Sequence, residues 1–356
     1  MRDAAAGWVA GGRWCGMASP QCAIILPMQF FYRTVVHLIL GAALLCAGWT
    51  ALAADSAPEA LCPGKLVHFI NPFPSGGPAD IVARSAAESF PRLLGKTVVV
   101  ESKPGAGGNL GAEFVSRSAP DGCTLMVGID STLTINPTLY KNYPIKVNDL
   151  KPVMLLVSSG MLMGVHPDRG IRTLDQLIAR ARNEALTFSN GSNGSPGHLA
   201  SEMFIEVAKV KLVEVPYKGN TAAVSAVVAG EVDGGILATP GMLPFVASGK
   251  VIALAVTSNR RSALAPQVPT TAELGLPGLQ LETLYVAMVP AATPPAAVAL
   301  LARAITDALG QPEIKARLER LDLLVEAQPD SVAAQRLAQM RERFAAIIRT
   351  SGMTAD

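Results

Sequence analysis

The sequence predicts an α/β protein of two domains, each a mostly parallel sheet flanked by helices. Short, continuously apolar segments alternate with helical segments, which is the pattern of parallel strands buried on both faces. The alternation stops over residues 136–152, which contain three prolines, and then starts again. The length of 356 residues also suits about two domains.

A secretory signal peptide is predicted at residues 1–53. Arg33 precedes an apolar run over residues 35–48, and a cleavage site of small residues ends at Ala53. An uncleaved membrane anchor is the alternative, but a span needs about 20 apolar residues, more than this run offers. Residues 1–27 fit no part of a signal peptide, whereas a normal one starts at Met28. Both Met1 and Met28 therefore stay open as the translation start.

In the first domain, apolar strands are predicted at residues 66–70, 97–101 and 124–129. A glycine-rich loop follows each of the first two strands and leads into a helix. Pro91 lies inside the first helical segment, residues 78–94, and should end or kink it because proline lacks a backbone donor. Residues 136–152 are expected to be an irregular break.

Two short apolar runs, residues 153–157 and 161–165, lead into the second domain. Thr173 and Gln176 form a capping box that opens a helix. Further strands are predicted at residues 186–188, 212–215, 232–237, 251–257 and 281–289, and helices at 196–208, 220–229, 242–247, 295–309, 312–321 and 331–350. The chain should cross over near residue 157 and return near 280. Domain 1 then comprises residues 54–157 and 283–356, and domain 2 comprises residues 158–282.

Two loops share one design and form the predicted binding site. In each, glycines and serines follow a strand, and a proline, Pro78 or Pro196, takes the first helical position. Such a loop presents free amides and a positive helix end at the sheet edge where α/β proteins bind ligands. Ordinary capped turns are the alternative. The predicted ligand-binding residues are Phe73, Pro74, Ser75, Gly76, Gly77, Pro78, Asp80, Ser131, Thr132, Ser189, Asn190, Gly191, Ser192, Gly194, Ser195, His198, Tyr217 and Thr239.

These loops indicate an anionic ligand. A hydrogen bond to a charged group contributes roughly 1.5–3 kcal/mol, and a helix end adds ~0.3–1 kcal/mol. About four or five donors therefore suffice for micromolar affinity, about −8 kcal/mol. Asp80 has two interpretations: it accepts from an ammonium or hydroxyl of the ligand, or it is a first-turn acid that complements the helix dipole.

Two enzyme classes are the alternatives. Gly105, Gly107 and Gly111 follow a strand, and Asp130 ends the next one, as in a dinucleotide-binding loop, although the glycine spacing differs. The loop that ends at His198 combines hydroxyls with an imidazole, as a serine hydrolase does, without the usual nucleophile motif. No metal-site spacing occurs, and no cofactor is expected. The net charge of +2 and the 5% aromatic content exclude a typical nucleic-acid binder.

Cys62 and Cys123 are the two cysteines beyond the predicted leader. They lie just before the first strand and at the start of the third. If the first three strands have the order 2-1-3, these two strands are neighbours. A disulfide between the two cysteines is then geometrically feasible in an oxidising compartment.

Several motifs resemble those of the tripartite tricarboxylate transporter substrate-binding proteins, the Bug-type receptors, over roughly residues 65–350. The motifs are FPSGGPAD at residues 73–80, VVESKPGAGGN at 99–109, APDG at 119–122, INP at 135–137, the loop at 189–198, VPYKG at 215–219, G-x-V-D at 230–233 and LAVTS at 254–258. The sequence departs from the family pattern at Cys123, over residues 236–239 and at Leu284. These departures bear on the identity of the ligand.

The resemblance implies a periplasmic two-domain "Venus flytrap" receptor of type II-like fold, without enzymatic activity. It implies a small organic acid as ligand, held through backbone amides and ordered water by the two predicted loops. The implied partners are membrane components of such a transporter or a sensor protein, and a monomer is expected.

Overall fold

Ten strands form the scaffold of the protein within residues 61–64 and 66–355, the part of the chain that the computed structural model describes. In chain order they are β1 (Leu66–Asn71), β2 (Thr97–Ser102), β3 (Thr124–Ile129), β4 (Leu150–Val165), β5 (Leu186–Asn190), β6 (Leu212–Pro216), β7 (Gly234–Ala238), β8 (Ile252–Val256), β9 (Glu282–Pro290) and β10 (Leu324–Pro329). The predicted signal peptide, its cleavage site and both start positions lie outside the described residues.

Twelve α-helices connect and cover these strands in the same described residues. They are α1 (Pro78–Ala87), α2 (Phe90–Leu94), α3 (Asn109–Ser116), α4 (Ser131–Thr134), α5 (Asn136–Leu139), α6 (Leu174–Asn183), α7 (Pro196–Ala208), α8 (Asn220–Ala229), α9 (Thr239–Ala247), α10 (Pro295–Gly310), α11 (Pro312–Glu319) and α12 (Asp330–Ser351). No described helix has both the length and the apolar character that crossing a bilayer requires.

The strands form two sheets of mixed direction. In the first sheet, parallel β2, β1 and β3 are followed by antiparallel β9 and β4, and β10 pairs with β4. In the second, parallel β6, β5 and β7 are followed by antiparallel β4, which also pairs with β8. The α/β class and the 2-1-3 order are confirmed. Only the three-strand part of each sheet is parallel, because β4 leads directly from one sheet into the other and β9 returns beside it.

One long strand joins the sheets. The first half of β4 pairs with β9 and β10, and its second half pairs with β7 and β8. The sequence predicted two short runs here, separated at Ser158, Ser159 and Gly160. The strand continues through them, and their small size suits the close approach of Ser258. A Cβ at Gly160 would lie 2.7 Å from the Ser258 Oγ.

The helix predicted over residues 78–94 is divided into α1 and α2, which confirms the expectation that it ends or kinks near Pro91. Pro91 itself lies in the first turn of α2, where proline is tolerated. Two other elements differ from the sequence-based expectation. The proline-rich break begins with the short helix α5, and α4 directly precedes it. Strand β10 falls between two predicted helices. It forms through its pairing with β4, a tertiary contact that no local pattern reveals.

The predicted Cys62–Cys123 disulfide is confirmed, with the two Cα atoms 4.6 Å apart. The strand order brings the cysteines together because β3 lies directly beside β1. The Cys62 amide also donates to the Asp121 carbonyl at 2.8 Å. The bond therefore anchors the segment before β1 at the amino ends of the parallel strands.

Candidate functional site

A cavity with about 680 Å³ of empty space, part of it open to solvent, lies between the two sheets. It is at the carboxyl ends of their parallel strands, which is where ligands of open α/β sheets bind. Loops that follow β1, β5 and β6 line it, and residues of the crossing strands β4 and β9 form its floor. The cavity therefore lies at the sheet edge that the sequence predicted.

Four helices begin at this cavity. The first turns of α1, α7 and α8 line it, and so does Ala238, the N-cap of α9. The first amides of a helix have no intrahelical acceptor, and the helix dipole makes that end positive. Lys218 is the one charged residue among those that line the cavity. The cavity is therefore an electropositive site without an acidic group on its wall.

Hydrogen bonds to the Asp80 carboxylate, on the side away from the cavity, fix the conformation of the first loop, residues 73–80. The Gly76 amide donates to Asp80 Oδ2 at 3.1 Å, and Arg84 donates to both oxygens of the same carboxylate. Gly76 has a φ of +79°, a conformation that favours glycine. The carboxylate of Asp80 is thus occupied by its own loop and helix. Of its two interpretations, the geometry favours the structural one.

The second loop repeats the construction of the first. The strand before each loop ends in asparagine, and its Oδ1 accepts the amide two residues on: Asn71 from Phe73 and Asn190 from Ser192, both at 3.1 Å. At the helix start, Ser195 Oγ accepts the His198 amide at 3.3 Å, as an N-cap does. Ser195 is thus the N-cap of α7. Each loop is therefore fixed at both ends by a hydrogen bond between a side chain and a backbone amide.

Seven of the predicted residues line the cavity, and they come from both loops. They are Phe73, Pro74, Gly77, Pro78, Gly191, Ser192 and Ser195. Their partners across the cleft come close: a Cβ at Gly219 would lie 3.1 Å from Pro74, and one at Gly77 would lie 4.0 Å from Thr221 Oγ1. Both predicted loops thus line one cavity.

The other predicted residues surround the cavity without lining it. Ser131 and Thr132 are fully buried at the start of α4. The Ser189 hydroxyl donates to the Ala223 carbonyl, and the Thr239 hydroxyl donates to the Gly160 carbonyl. The Tyr217 hydroxyl bonds Glu231. The full set outside the lining is Ser75, Gly76, Asp80, Ser131, Thr132, Ser189, Asn190, Gly194, His198, Tyr217 and Thr239.

The floor of the cavity was not predicted. Ile129 at the end of β3, Met161 on β4, and Thr283 and Tyr285 on β9 all line it. Burial raises the pKa of the Tyr285 hydroxyl well above its usual range, so the group stays protonated and can donate. The sequence around such strand residues does not indicate that they line a binding site, because only the pairing of β4 with β9 brings them to the cleft.

The geometry does not favour a dinucleotide site at Gly105, Gly107 and Gly111. These glycines allow close packing: a Cβ at Gly107 would lie 2.8 Å from the Tyr140 hydroxyl, and one at Gly111 would lie 2.7 Å from Pro72. The loop thus packs against neighbouring protein at the positions where a cofactor would need space.

A serine-hydrolase site at the second loop is not favoured either. His198 Nδ1 lies 3.2 Å from the Gly194 amide, and Nε2 lies 2.8 Å from Glu214 Oε2. Both ring nitrogens are therefore engaged away from a serine hydroxyl. Ser195 Oγ meets the backbone amide of His198 and not its ring.

One cluster has the donor types of a metal site. His198, Glu202 and Glu214 bring their ligand atoms within 4.8 Å of one another. An amide can only donate, so the Gly194 amide requires an unprotonated Nδ1, and the single proton of the neutral ring is then on Nε2. A metal at Nε2 would need that proton removed as well. The geometry therefore favours a chain of hydrogen bonds from Gly194 through His198 to Glu214, the His198 relay, over a metal site.

Asp130 ties the end of β3 to β9 beneath the cavity. Its Oδ1 accepts the Leu284 amide at 2.9 Å, and its Oδ2 accepts the Thr134 hydroxyl at 2.9 Å. The carboxyl group is fully buried, and this burial raises its pKa from 3.8 to about 6 despite both hydrogen bonds. Asp130 therefore positions the cavity floor and does not bind ligand.

We expect Asp130→Asn to stabilise the protein at about pH 8, by up to about 3 kcal/mol, and to have little effect at about pH 4. The Asp130 carboxyl group binds a proton more tightly in the folded state than in the unfolded state, because its pKa is higher when it is buried. Its contribution to stability is thus complete below the unfolded pKa of 3.8 and is lost as the pH rises through about 6. Urea unfolding across this range measures the difference. Asp168→Asn, at an exposed site, is the control, and an equal effect of both variants would contradict the prediction.

Known proteins resemble this chain over most of its length. The profile of the family described as "Tripartite tricarboxylate transporter family receptor" matches residues 82–353. Protein BugT of Bordetella pertussis is 34% identical over 295 residues, 82% of this chain and 90% of BugT. The structure of the periplasmic binding protein BugD has a TM-score of 0.77 at 31% identity, covering 82% of this chain and 99% of BugD.

A further solved structure, MatC (Rpa3494) from Rhodopseudomonas palustris with bound malate, has a TM-score of 0.77 at 30% identity. It covers 81% of this chain and all of MatC, 100%. The matched family profile spans the second predicted loop and most strands of both sheets. These similarities confirm the family resemblance of the sequence motifs and the expected two-domain receptor fold. The chain belongs to the tripartite tricarboxylate transporter receptor family.

Proposed function

We propose that this protein is a periplasmic receptor that captures a small organic acid in the cavity between its two sheets. The observation that carries the proposal is the convergence of four helix starts and Lys218 on one cavity with no acidic residue in its lining. Free amides and a positive potential are what a carboxylate needs, and they are available there without an arginine.

The ligand class is an acid with a hydrocarbon body. Apart from the loop backbone, the walls include Ile129, Met161, Leu237 and the Phe73 ring. Such walls suit methylene groups, whereas a highly hydroxylated ligand would leave polar groups unpaired. Malate in the related MatC supports a dicarboxylate of about this size.

Binding involves closure of two lobes, residues 54–157 with 283–356 and residues 158–282. Contacts across the cleft support this proposal: the Tyr140 hydroxyl donates to the Asn193 carbonyl at 3.0 Å, and Pro74 packs against Gly219. A ligand that contacts both loops binds the closed arrangement better and shifts the population toward it. The connections that would bend are the middle of β4 and the start of β9, where the chain passes between the sheets.

The proposed compartment is the periplasm. The predicted signal peptide and the Cys62–Cys123 disulfide both support export to an oxidising space. The proposed partners are the membrane components of a tripartite transporter or a sensor protein, and the receptor acts as a monomer.

A ligand panel tests the proposal. Thermal unfolding of the purified protein is followed with malate, longer dicarboxylates, monocarboxylates, amino acids and NAD, each at millimolar concentration. We expect one or more organic acids to raise the melting temperature, because a ligand at 100 times its Kd adds about 2.7 kcal/mol to stability. NAD should have no effect. Stabilisation by NAD with no response to any acid would overturn the proposal in favour of the dinucleotide alternative.

A further inference from the structure

We propose that His198 is a positioning residue of the cavity, and that a second proton on its ring weakens ligand binding at acid pH by releasing the turn formed by residues 192–195. The inference rests on the proposed function, because it describes how the same cavity is regulated. Its structural part concerns the resting protein alone and can be tested without a ligand.

The imidazole joins two loops that line the cavity. His198 is in the first turn of α7 and is 7% exposed. Its Nδ1 accepts the Gly194 amide at 3.2 Å, and its Nε2 faces Glu214 Oε2 at 2.8 Å. Gly194 lies between the lining residues Ser192 and Ser195. Glu214 is on β6, four residues before the lining residue Lys218.

The bond from Gly194 fixes the state of the ring. Because a backbone amide can only donate, Nδ1 must be unprotonated, and the ring is neutral with its proton on Nε2, directed at Glu214. A second proton would go to Nδ1 and place two donors opposite each other. The bond to Gly194 would then be lost, and the turn would have to move away from the ring.

The turn packs closely against Asn136 and Tyr140. Gly194 has a φ of +79°, and a Cβ there would lie 2.6 Å from Asn136 Oδ1. The neighbouring Asn193 carbonyl accepts the Tyr140 hydroxyl from the other side of the cleft at 3.0 Å. Displacement of this turn would therefore affect the cavity wall and the contact across the cleft together.

The charged groups that face the ring favour the second proton. Glu214 on β6 is its acidic partner among the described residues, and Glu202, one turn along α7, is the third member of the cluster. Burial and the neighbouring Glu214 carboxylate raise the pKa of Glu202, so Glu202 holds a proton more readily than an exposed acid. Both acidic side chains face the ring, and a nearby carboxylate stabilises an imidazolium.

The test is calorimetric titration with malate at about pH 8 and about pH 5.5. For the unaltered protein we expect affinity to fall about tenfold between these values, the effect of losing one well-placed hydrogen bond. In His198→Asn, the amide Oδ1 can still accept from Gly194 but takes no proton, so affinity should change less than about twofold beyond the ligand's own titration. His68→Asn is the matched control, because His68 pairs with Glu101 on β2, away from the cavity lining, and the full pH dependence should remain.

Nitrogen NMR of the histidine rings supplies a readout that needs no ligand. At about pH 8 we expect His198 to show a protonated Nε2 and an unprotonated Nδ1, and the Gly194 amide signal should titrate together with this ring. A proton on Nδ1 would overturn the proposal, and so would a His198→Asn variant that keeps the full pH dependence. If malate and all other acids fail to bind at either pH while the NMR result holds, the proposed function fails and the positioning role of His198 stands.

Discussion

Gly77→Val should abolish binding of organic acids and leave the fold unchanged. Gly77 has φ −82° and ψ 173°, a conformation open to valine. A Cβ there would lie 3.6 Å from the Pro74 carbonyl oxygen, which is ordinary contact. The nearest group across the cleft, Thr221 Oγ1, would be 4.0 Å from that Cβ, so the added methyl groups would occupy the gap between the loops. We expect a loss of affinity of more than about 100-fold, or about 3 kcal/mol.

Calorimetry with malate measures this loss, and the melting temperature reports on the fold. Gly310→Val is the matched control, because its Cβ would have no neighbour within 4 Å and the residue lies outside the cavity lining. Gly194 is unsuitable for the same test, since valine there would be strained at a φ of +79° and would collide with Asn136. Gly77→Val with unchanged affinity would refute the assignment of the first loop.

Removal of the disulfide should lower the free energy of unfolding by about 4 kcal/mol. The bond closes a loop between cysteines 61 residues apart, and cross-links over loops of that length restrict the unfolded chain strongly. The Cys62→Ala/Cys123→Ala double variant is the test, because alanine fills the buried Cys62 site without adding a polar group. The cavity should bind its ligand as before, since the bond lies at the amino ends of the strands and the cavity at their carboxyl ends.

Urea unfolding with and without a reducing agent measures the change. The unaltered protein should lose stability on reduction and approach the double variant, whereas the double variant should not respond. Thiol titration of the native protein is an independent check. Two reactive thiols before reduction would contradict the disulfide.

The two predicted loops show why part of the site was visible in the sequence. A strand followed by glycine and by a proline at the first helical position is a local signal, and Pro78 and Pro196 carry it. The start of α8 lacks this signal, because Asn220, and not a proline, follows its N-cap Gly219.

The predicted residues that do not line the cavity show a second limit of prediction from sequence, which concerns the direction in which a side chain points. Position at the carboxyl edge of a sheet brought Asp80, His198 and Thr239 near the site, but whether a side chain faces the ligand or braces a loop depends on its neighbours. Asp80 is held by Arg84, His198 by Glu214 and Thr239 by the Gly160 carbonyl. Arg84 lies one turn from Asp80 on the same helix, a spacing that the sequence shows. By contrast, Glu214 and Gly160 lie on other elements, where sequence spacing does not reveal a partner.

By itself, the sequence determined the α/β class, the two glycine-bearing loops, their helix starts and the pair of cysteines. These features depend on local periodicity, on capping residues and on the backbone preferences of glycine and proline, all of which act over a few residues. The tertiary structure alone decided the mixed sheet directions, the pairing of β10, the floor at Met161, Thr283 and Tyr285, and the His198 relay. These depend on contacts between residues far apart in the chain, and such contacts form only when the long strand β4 joins the two sheets.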